Sequence, residues 1–192
     1  MNYRSTLNLD IVTDAQIYPI TEFDTAERTF RGGVLDDQGT FCESSKHIKA
    51  RYNNLAPLPR SSMTRLVGMH IYGGFLQNRH FGHFLIESLN RLWATSILPD
   101  VQSIIFIKRS PEAKIANFVN DIIKHLLPNA MIKIIDEVTT VDSLIIPQPT
   151  CDPRQGILTS HCQNKQLFNS LRTKFTNKKN KITEKLYVSR SN

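Results

Sequence analysis

Leu66-Val67-Gly68-Met69-His70-Ile71-Tyr72-Gly73-Gly74 runs, after five intervening residues, into His80-Phe81-Gly82-His83-Phe84-Leu85-Ile86-Glu87-Ser88-Leu89-Asn90-Arg91-Leu92-Trp93. The apolar run reads as a buried strand. The glycines that end it mark a loop where backbone can come close to a ligand. The longer stretch reads as a helix over about 80–97. At ~100° per residue with His80 at zero, Glu87 falls at roughly −20°, Arg91 at about +20° and His83 at about −60°, opposite Phe81, Leu85, Ser88, Leu89 and Leu92. One face is therefore core and the other polar. Strand, loop and helix place that polar face at the carboxyl edge of a sheet, where open α/β sheets bind ligands.

Outward from this unit, alternating strands and helices are expected. Ser103-Ile104-Ile105-Phe106-Ile107 reads as a strand, and Glu112 to Leu127 as an amphipathic helix with Pro111 near its start and Pro128 as its stop. Strands come next at Met131–Ile135 and Val141–Ile146, then a proline-rich loop, a helix from about Ser160 to Lys174, and a last strand, Lys185–Ser189. This order predicts an α/β fold, a Rossmann-like parallel sheet with helices on both faces. Residues 1–60 alternate turn signals such as Gly32-Gly33 and Asp36-Asp37 with short apolar stretches, and predict a small β-rich N-terminal piece before the main domain, 61–192. The last strand stops where only Arg190-Ser191-Asn192 remain, so the chain reads as the front half of something larger.

Composition narrows the classes. No apolar run approaches the ~18 to 20 residues that span a bilayer, and the N-terminus lacks the apolar core of a secretory signal. A cytoplasmic protein is expected. Cys42, Cys151 and Cys162 are too scattered for a disulfide framework or a paired metal motif. The net charge of +7 is concentrated in Arg172–Asn192, which contributes about +6. Such an end suits a solvated helix end, an anionic membrane surface or phosphorylated small molecules; with only Phe175 and Tyr187 among its charges, nucleic acid is not expected as a partner. Glycine-rich phosphate signatures and a Gly-x-Ser-x-Gly elbow are absent, which argues against ATP, NAD and serine-hydrolase chemistry.

The Gly82-His83-Phe84 step with an acid at Glu87, the Arg91-Leu92 pair and the strand end Tyr187-Val188-Ser189-Arg190 resemble glycosyltransferase family 61 over roughly residues 65 to 190. Its bacterial members are associated with capsular or exopolysaccharide biosynthesis. The resemblance implies a two-domain GT-B enzyme, inverting and independent of metal, in which the N-terminal half holds the glycan acceptor and a second, donor-binding half holds the nucleotide sugar. The chain ends where that second half should begin. On this reading it transfers a sugar from a nucleotide-sugar donor, UDP-linked, to a bacterial surface glycan, at or near the inner face of the plasma membrane and without a cofactor.

An inverting transfer needs a base for the acceptor hydroxyl and positive groups for the departing diphosphate. His83 and Glu87 are the candidates for the base. Model-compound values of ~6.5 for His and ~4.3 for Glu favour His83, with Glu87 orienting it. Asn78, Arg79, His80 and Arg91 are candidate substrate contacts, His80 also serving as a plain helix cap, and the strand-end Arg190 is a candidate for the donor phosphate. His70, inside an apolar strand, reads as a satisfied core histidine, and Phe84 and Trp93 as packing. A metal held by His80, His83 and Glu87 lacks the His-Glu-x-x-His spacing, so none is expected. The alternatives are a solvated helix face laced by side-chain pairs, and a non-catalytic glycan- or partner-binding module derived from such an enzyme.

Overall fold

Successive residues of Ser103-Ile104-Ile105-Phe106-Ile107 enter opposite cores in the computed structural model: Ile104 and Phe106 face one apolar cluster, Ile105 and Ile107 the other. That period of two on a strand buried from both sides makes a continuous apolar run. The structure describes residues 7–47, 52–62, 64–78, 80–98, 100–108, 114–152, 157–158, 165, 168–169 and 172–173. In chain order the elements are β1 (Leu9–Asp24), β2 (Thr29–Leu35), β3 (Asn53–Leu55), β4 (Thr64–Leu76), a short helical run opened by α1 (Phe81–His83), β5 (Ser103–Lys108), α2 (Asn117–Leu126), β6 (Met131–Ile135), β7 (Thr139–Pro147), β8 (Cys151–Asp152) and β9 (Ile157–Leu158).

Strands β1 to β7 form one mixed sheet in the order β3-β2-β1-β7-β4-β5-β6, while β8 and β9 pair separately. The neighbours β7, β4, β5 and β6 run parallel, as do β2 and β3, whereas β1 is antiparallel to both β2 and β7. The α/β expectation therefore holds in its coarse form, and a wholly parallel sheet does not. Helices on both faces are not seen among the described residues. Of the named elements α2 is the one α-helix longer than a single turn, and it packs with the helical run on one face through Val119, Ile122, Phe84, Leu89 and Leu92. The other face, with Ile17, Val34, Tyr72, Phe75 and Leu144, is joined by Cys42 and Tyr52 from the irregular segment between β2 and β4. The connection from β6 to β7 is only Asp136-Glu137-Val138, with no crossover helix. Hydrogen bonds from Ser62 to the Val138 carbonyl and from Thr64 to Glu137 set the start of β4 against that turn. The described residues of 1–60 are β-rich, and their strands belong to the same sheet, with β1 zipped onto β7 from Leu9 opposite Pro147 to Ile17 opposite Thr139.

The expected strands at 65–72, 103–107, 131–135 and 141–146 correspond to β4 to β7. The helix expected from Glu112 begins at Asn117 and stops before Pro128. Of the helix expected over about 160–174, residues 165, 168, 169, 172 and 173 are described and are helical; the strand Lys185–Ser189 lies outside the described residues, with Arg79 and Arg190.

Two expectations at the centre are corrected. Gly73 and Gly74 do not end the strand but form a bulge within β4, where Tyr72 pairs with Ile105 and Gly74 with Phe106. The extra residue turns the end of β4, and only glycine fits. Gly74 has φ +89°, and a Cβ at Gly73 would stand 2.5 Å from the Phe106 ring. The helix over 80–97 is not continuous either. It is a turn of α-helix, a π turn over Phe84–Ser88 in which the Leu89 N–H reaches back to the Phe84 carbonyl at 3.3 Å, and a 3₁₀ stretch over Leu92–Ser96. Each change of pitch rotates the residues after it about the helix axis, so Glu87 and Arg91 are buried rather than on a polar face with His80.

His70 is the satisfied core histidine expected. The Val67 carbonyl can only accept, so Nε2 donates to it at 3.1 Å and Nδ1 accepts from the Ser103 hydroxyl at 2.7 Å. Burial pushes the His70 pKa below the ordinary histidine range, with Lys133 adding to the shift and the Val67 bond and Asp142 opposing it. The unfolded chain then binds a proton that the folded chain resists. This contribution to stability is full above about pH 6.5 and is lost as the pH falls below it. Urea unfolding should show lower stability at pH 5.5 than at 7.5, with a smaller difference in His70→Gln; an undiminished difference would show that another group is responsible. Gly74→Ala should cost about 1–2 kcal/mol from backbone strain alone, before the new Cβ meets Arg91 Nε at 3.3 Å. The same unfolding assay checks this, and an unchanged midpoint would contradict it.

Candidate functional site

The bulged end of β4 delivers Gln77 and Asn78, both buried, to the carboxyl edge of the sheet. Ser88 fastens the helical run there: its hydroxyl accepts from the Gln77 N–H at 2.8 Å and donates to the Phe75 carbonyl at 3.2 Å. The preceding residue, Glu87, is thereby held beside the strand end with its side chain 4% exposed. A carboxylate so far from water needs donors on both oxygens. Oε1 lies 2.5 Å from His83 Nδ1, and Oε2 accepts from Gln77 Nε2 and lies 3.4 Å from His47 Nε2.

The carboxylate fixes the chemistry of His83. An ionised carboxylate only accepts, so Nδ1 of His83 carries the proton and the lone pair sits on Nε2. The His83 side chain is 51% exposed. An outward imidazole nitrogen backed by a buried carboxylate is the arrangement of a general base that removes a proton from a hydroxyl. The His80 ring stands 5.8 Å from the His83 ring, edge to face. His80 occupies the residue before α1 but makes no side-chain cap hydrogen bond, so the plain capping role is not what its side chain does.

Arg91 is elsewhere. It is 3% exposed, and its guanidinium donates to the Pro147 carbonyl, to the Ser44 carbonyl at 2.7 Å and to the Lys46 carbonyl at 3.3 Å. Burial lowers its pKa to about 10, against the opposing influence of Tyr72 and Asp10, so it stays charged at neutral pH. The Tyr72 hydroxyl donates to the intervening Ser45 carbonyl at 3.1 Å, and burial raises its pKa well above the ordinary tyrosine range. Three successive carbonyls, 44 to 46, are thus gripped from one side. Arg91, a candidate substrate contact from the sequence, binds backbone carbonyls here, and the clamped segment leads to His47 beside Glu87. His47 is fixed further by its N–H, which donates to Asn54 Oδ1 at 2.9 Å, and Asn54 Nδ2 donates in turn to the Gly32 carbonyl at 2.9 Å.

The structure therefore brings His83, Glu87 and His80 together and sets Asn78 at the strand end behind them, whereas Arg91 works from within the core. Sequence reading did not single out Gln77 or His47. Gln77 lies within the strand-to-helix link, but His47 sits forty residues before Glu87 in a segment without periodicity, so no local signal marks it. Among the described residues, no group of three or more His, Cys, Asp and Glu is placed to hold a metal ion, and no helix is long and apolar enough to cross a membrane. Comparison with known protein families, with curated proteins and with solved structures finds no match.

Replacing the guanidinium with an apolar chain of similar length would strand buried carbonyls, each worth ~1–3 kcal/mol. Arg91→Met should lower unfolding free energy by about 3 kcal/mol or more. A loss below ~1 kcal/mol in urea titration would mean that the carbonyls find water and that the clamp does not organise the 44–47 segment.

Proposed function

We propose that this chain carries the acceptor-activating part of an inverting glycosyl transfer from a nucleotide sugar, UDP-linked, to a glycan. The observation that supports it most is the exposed His83 imidazole with its Nδ1 2.5 Å from buried Glu87 at the carboxyl end of β4. Strand order adds support. From β4 the chain moves outward through β5 and β6 on one side, while β7 lies on the other, so β4 ends where an open sheet changes direction and binds ligands. The resemblance of Gly82-His83-Phe84, Glu87 and Arg91-Leu92 to glycosyltransferase family 61 points the same way.

In this reading His83 Nε2 takes the proton of an acceptor hydroxyl as that oxygen attacks the anomeric carbon. The bond from that carbon to the nucleotide diphosphate breaks on the opposite face, which inverts the configuration. Glu87 holds the ring and stabilises the imidazolium that forms. The diphosphate leaves with its electron pair and needs positive groups, for which Arg79 and Arg190 are the proposed sources. A bacterial surface glycan, a GT-B architecture with a donor-binding half, and a site of action at the cytoplasmic face of the membrane belong to this proposal.

The test is transfer from a panel of UDP- and GDP-sugars to glycan acceptors, with stereochemistry read by NMR. Relative to wild type, His83→Ala and Glu87→Ala should lower turnover by ~10²- to 10⁴-fold, with circular dichroism unchanged. Wild-type turnover in both variants would remove the assigned chemistry, and glycan binding without transfer to any acceptor would replace the enzyme by a binding module.

A further inference from the structure

The carboxylate of Glu87 is shared between two imidazoles. Oε1 faces His83 Nδ1 at 2.5 Å, while Oε2 lies 3.4 Å from His47 Nε2 and accepts from Gln77 Nε2. Rotation about the last bond of a glutamate is soft and roughly two-fold, and on the Oε2 side the Gln77 amide and the His47 ring stand against it together. Resting on the transfer reading above and deepening it, we infer that His47 is a positioning residue for the His83 base. His47 Nε2 stands 3.4 Å from Oε2 on the buried side, a charge contact rather than a hydrogen bond, and together with the Gln77 amide it keeps Oε1 directed at His83 Nδ1 and the lone pair of His83 on Nε2.

His47 is itself over-determined, as a positioning group must be. Its ring lies 6.0 Å from Phe30 and 5.1 Å from Phe75, between centroids. Its N–H is held by Asn54, and the three carbonyls before it are held by Arg91 and Tyr72. The adjacent Lys46 ammonium is 2.6 Å from Glu43. A ring set between two aromatics could also be mere filling, and the two roles separate by substitution. His47→Phe keeps the packing and removes the nitrogen. His47→Gln restores a terminal N–H donor.

The experiment is long-range ¹H–¹⁵N correlation of the histidine rings in the full ¹⁵N-labelled chain at neutral pH, which reports the nitrogen that carries the proton. Wild type should show His83 protonated at Nδ1 and His47 protonated at Nε2. His47→Phe should lose the fixed His83 pattern and average the two tautomers, and His47→Gln should recover it. An unchanged His83 pattern in folded His47→Phe overturns the inference. Should that variant not fold, wild type decides: His47 Nε2 without a proton cannot hold a carboxylate, and that result also overturns it. Turnover is read in parallel. A changed pattern with no transfer from any donor supports the coupling of His47 to His83 and tells against the transferase; transfer with an unchanged pattern keeps the transferase and removes His47.

Discussion

A guanidinium taken out of water must be given acceptors, and the placement of Arg91 is a consequence of that requirement. Desolvating such an ion costs several kcal/mol, which only good geometry offsets. Here the acceptors are backbone carbonyls of Ser44, Lys46 and Pro147. They come from the segment after β2 and from the end of β7, so one side chain ties the helical run to two distant parts of the chain. A Cβ at Gly74 would stand 3.3 Å from Arg91 Nε, which adds to the φ of +89° that already favours glycine in the β4 bulge.

The candidate site rests on that tie. Glu87 lies one turn before Arg91, and the π turn gives both residues buried positions that a regular helix would not. Glu87 is a second desolvated charge, offset by Gln77, His47 and His83. Of those partners only His83 is exposed to any large degree, and the free nitrogen faces outward because the carboxylate has claimed the other. Rigidity and reactivity thus come from one bond: the contact that offsets the burial of Glu87 also fixes the tautomer of His83.

Local signals account for what was legible in the sequence. Period two and unbroken apolar runs marked β4 to β7, because each is buried on at least one face by the same rule that makes it a strand. The 3- and 4-residue spacing of Phe118, Val119, Ile122 and Ile123 marked α2, and Pro128 marked its end. The pairing of His83 with Glu87 was legible because its four-residue separation survives the passage from α turn to π turn. What failed was the assumption of constant pitch. Arg91 bonds Ser44, Lys46 and Pro147, and Glu87 meets His47, all tens of residues away and beyond the reach of a local helical pattern. His47 was invisible for the same reason, since it is placed by carbonyl contacts that carry no residue signature. The joining of β1 to the main sheet was not legible because its partner there, β7, lies more than a hundred residues later.

The position of β7 between β1 and β4 bears on how the chain reaches this state. β7 is the latest of the seven strands to be synthesised, yet it is the one that joins the N-terminal strands to the rest. Until about residue 147 has emerged, β1 and β4 each present an unpaired edge, and the Pro147 carbonyl is not there to meet Arg91. Closure is a long-range event, of the kind that makes folding slow and leaves strand edges open to wrong partners. Two strand edges thus wait, through most of the chain's synthesis, for one strand that satisfies both.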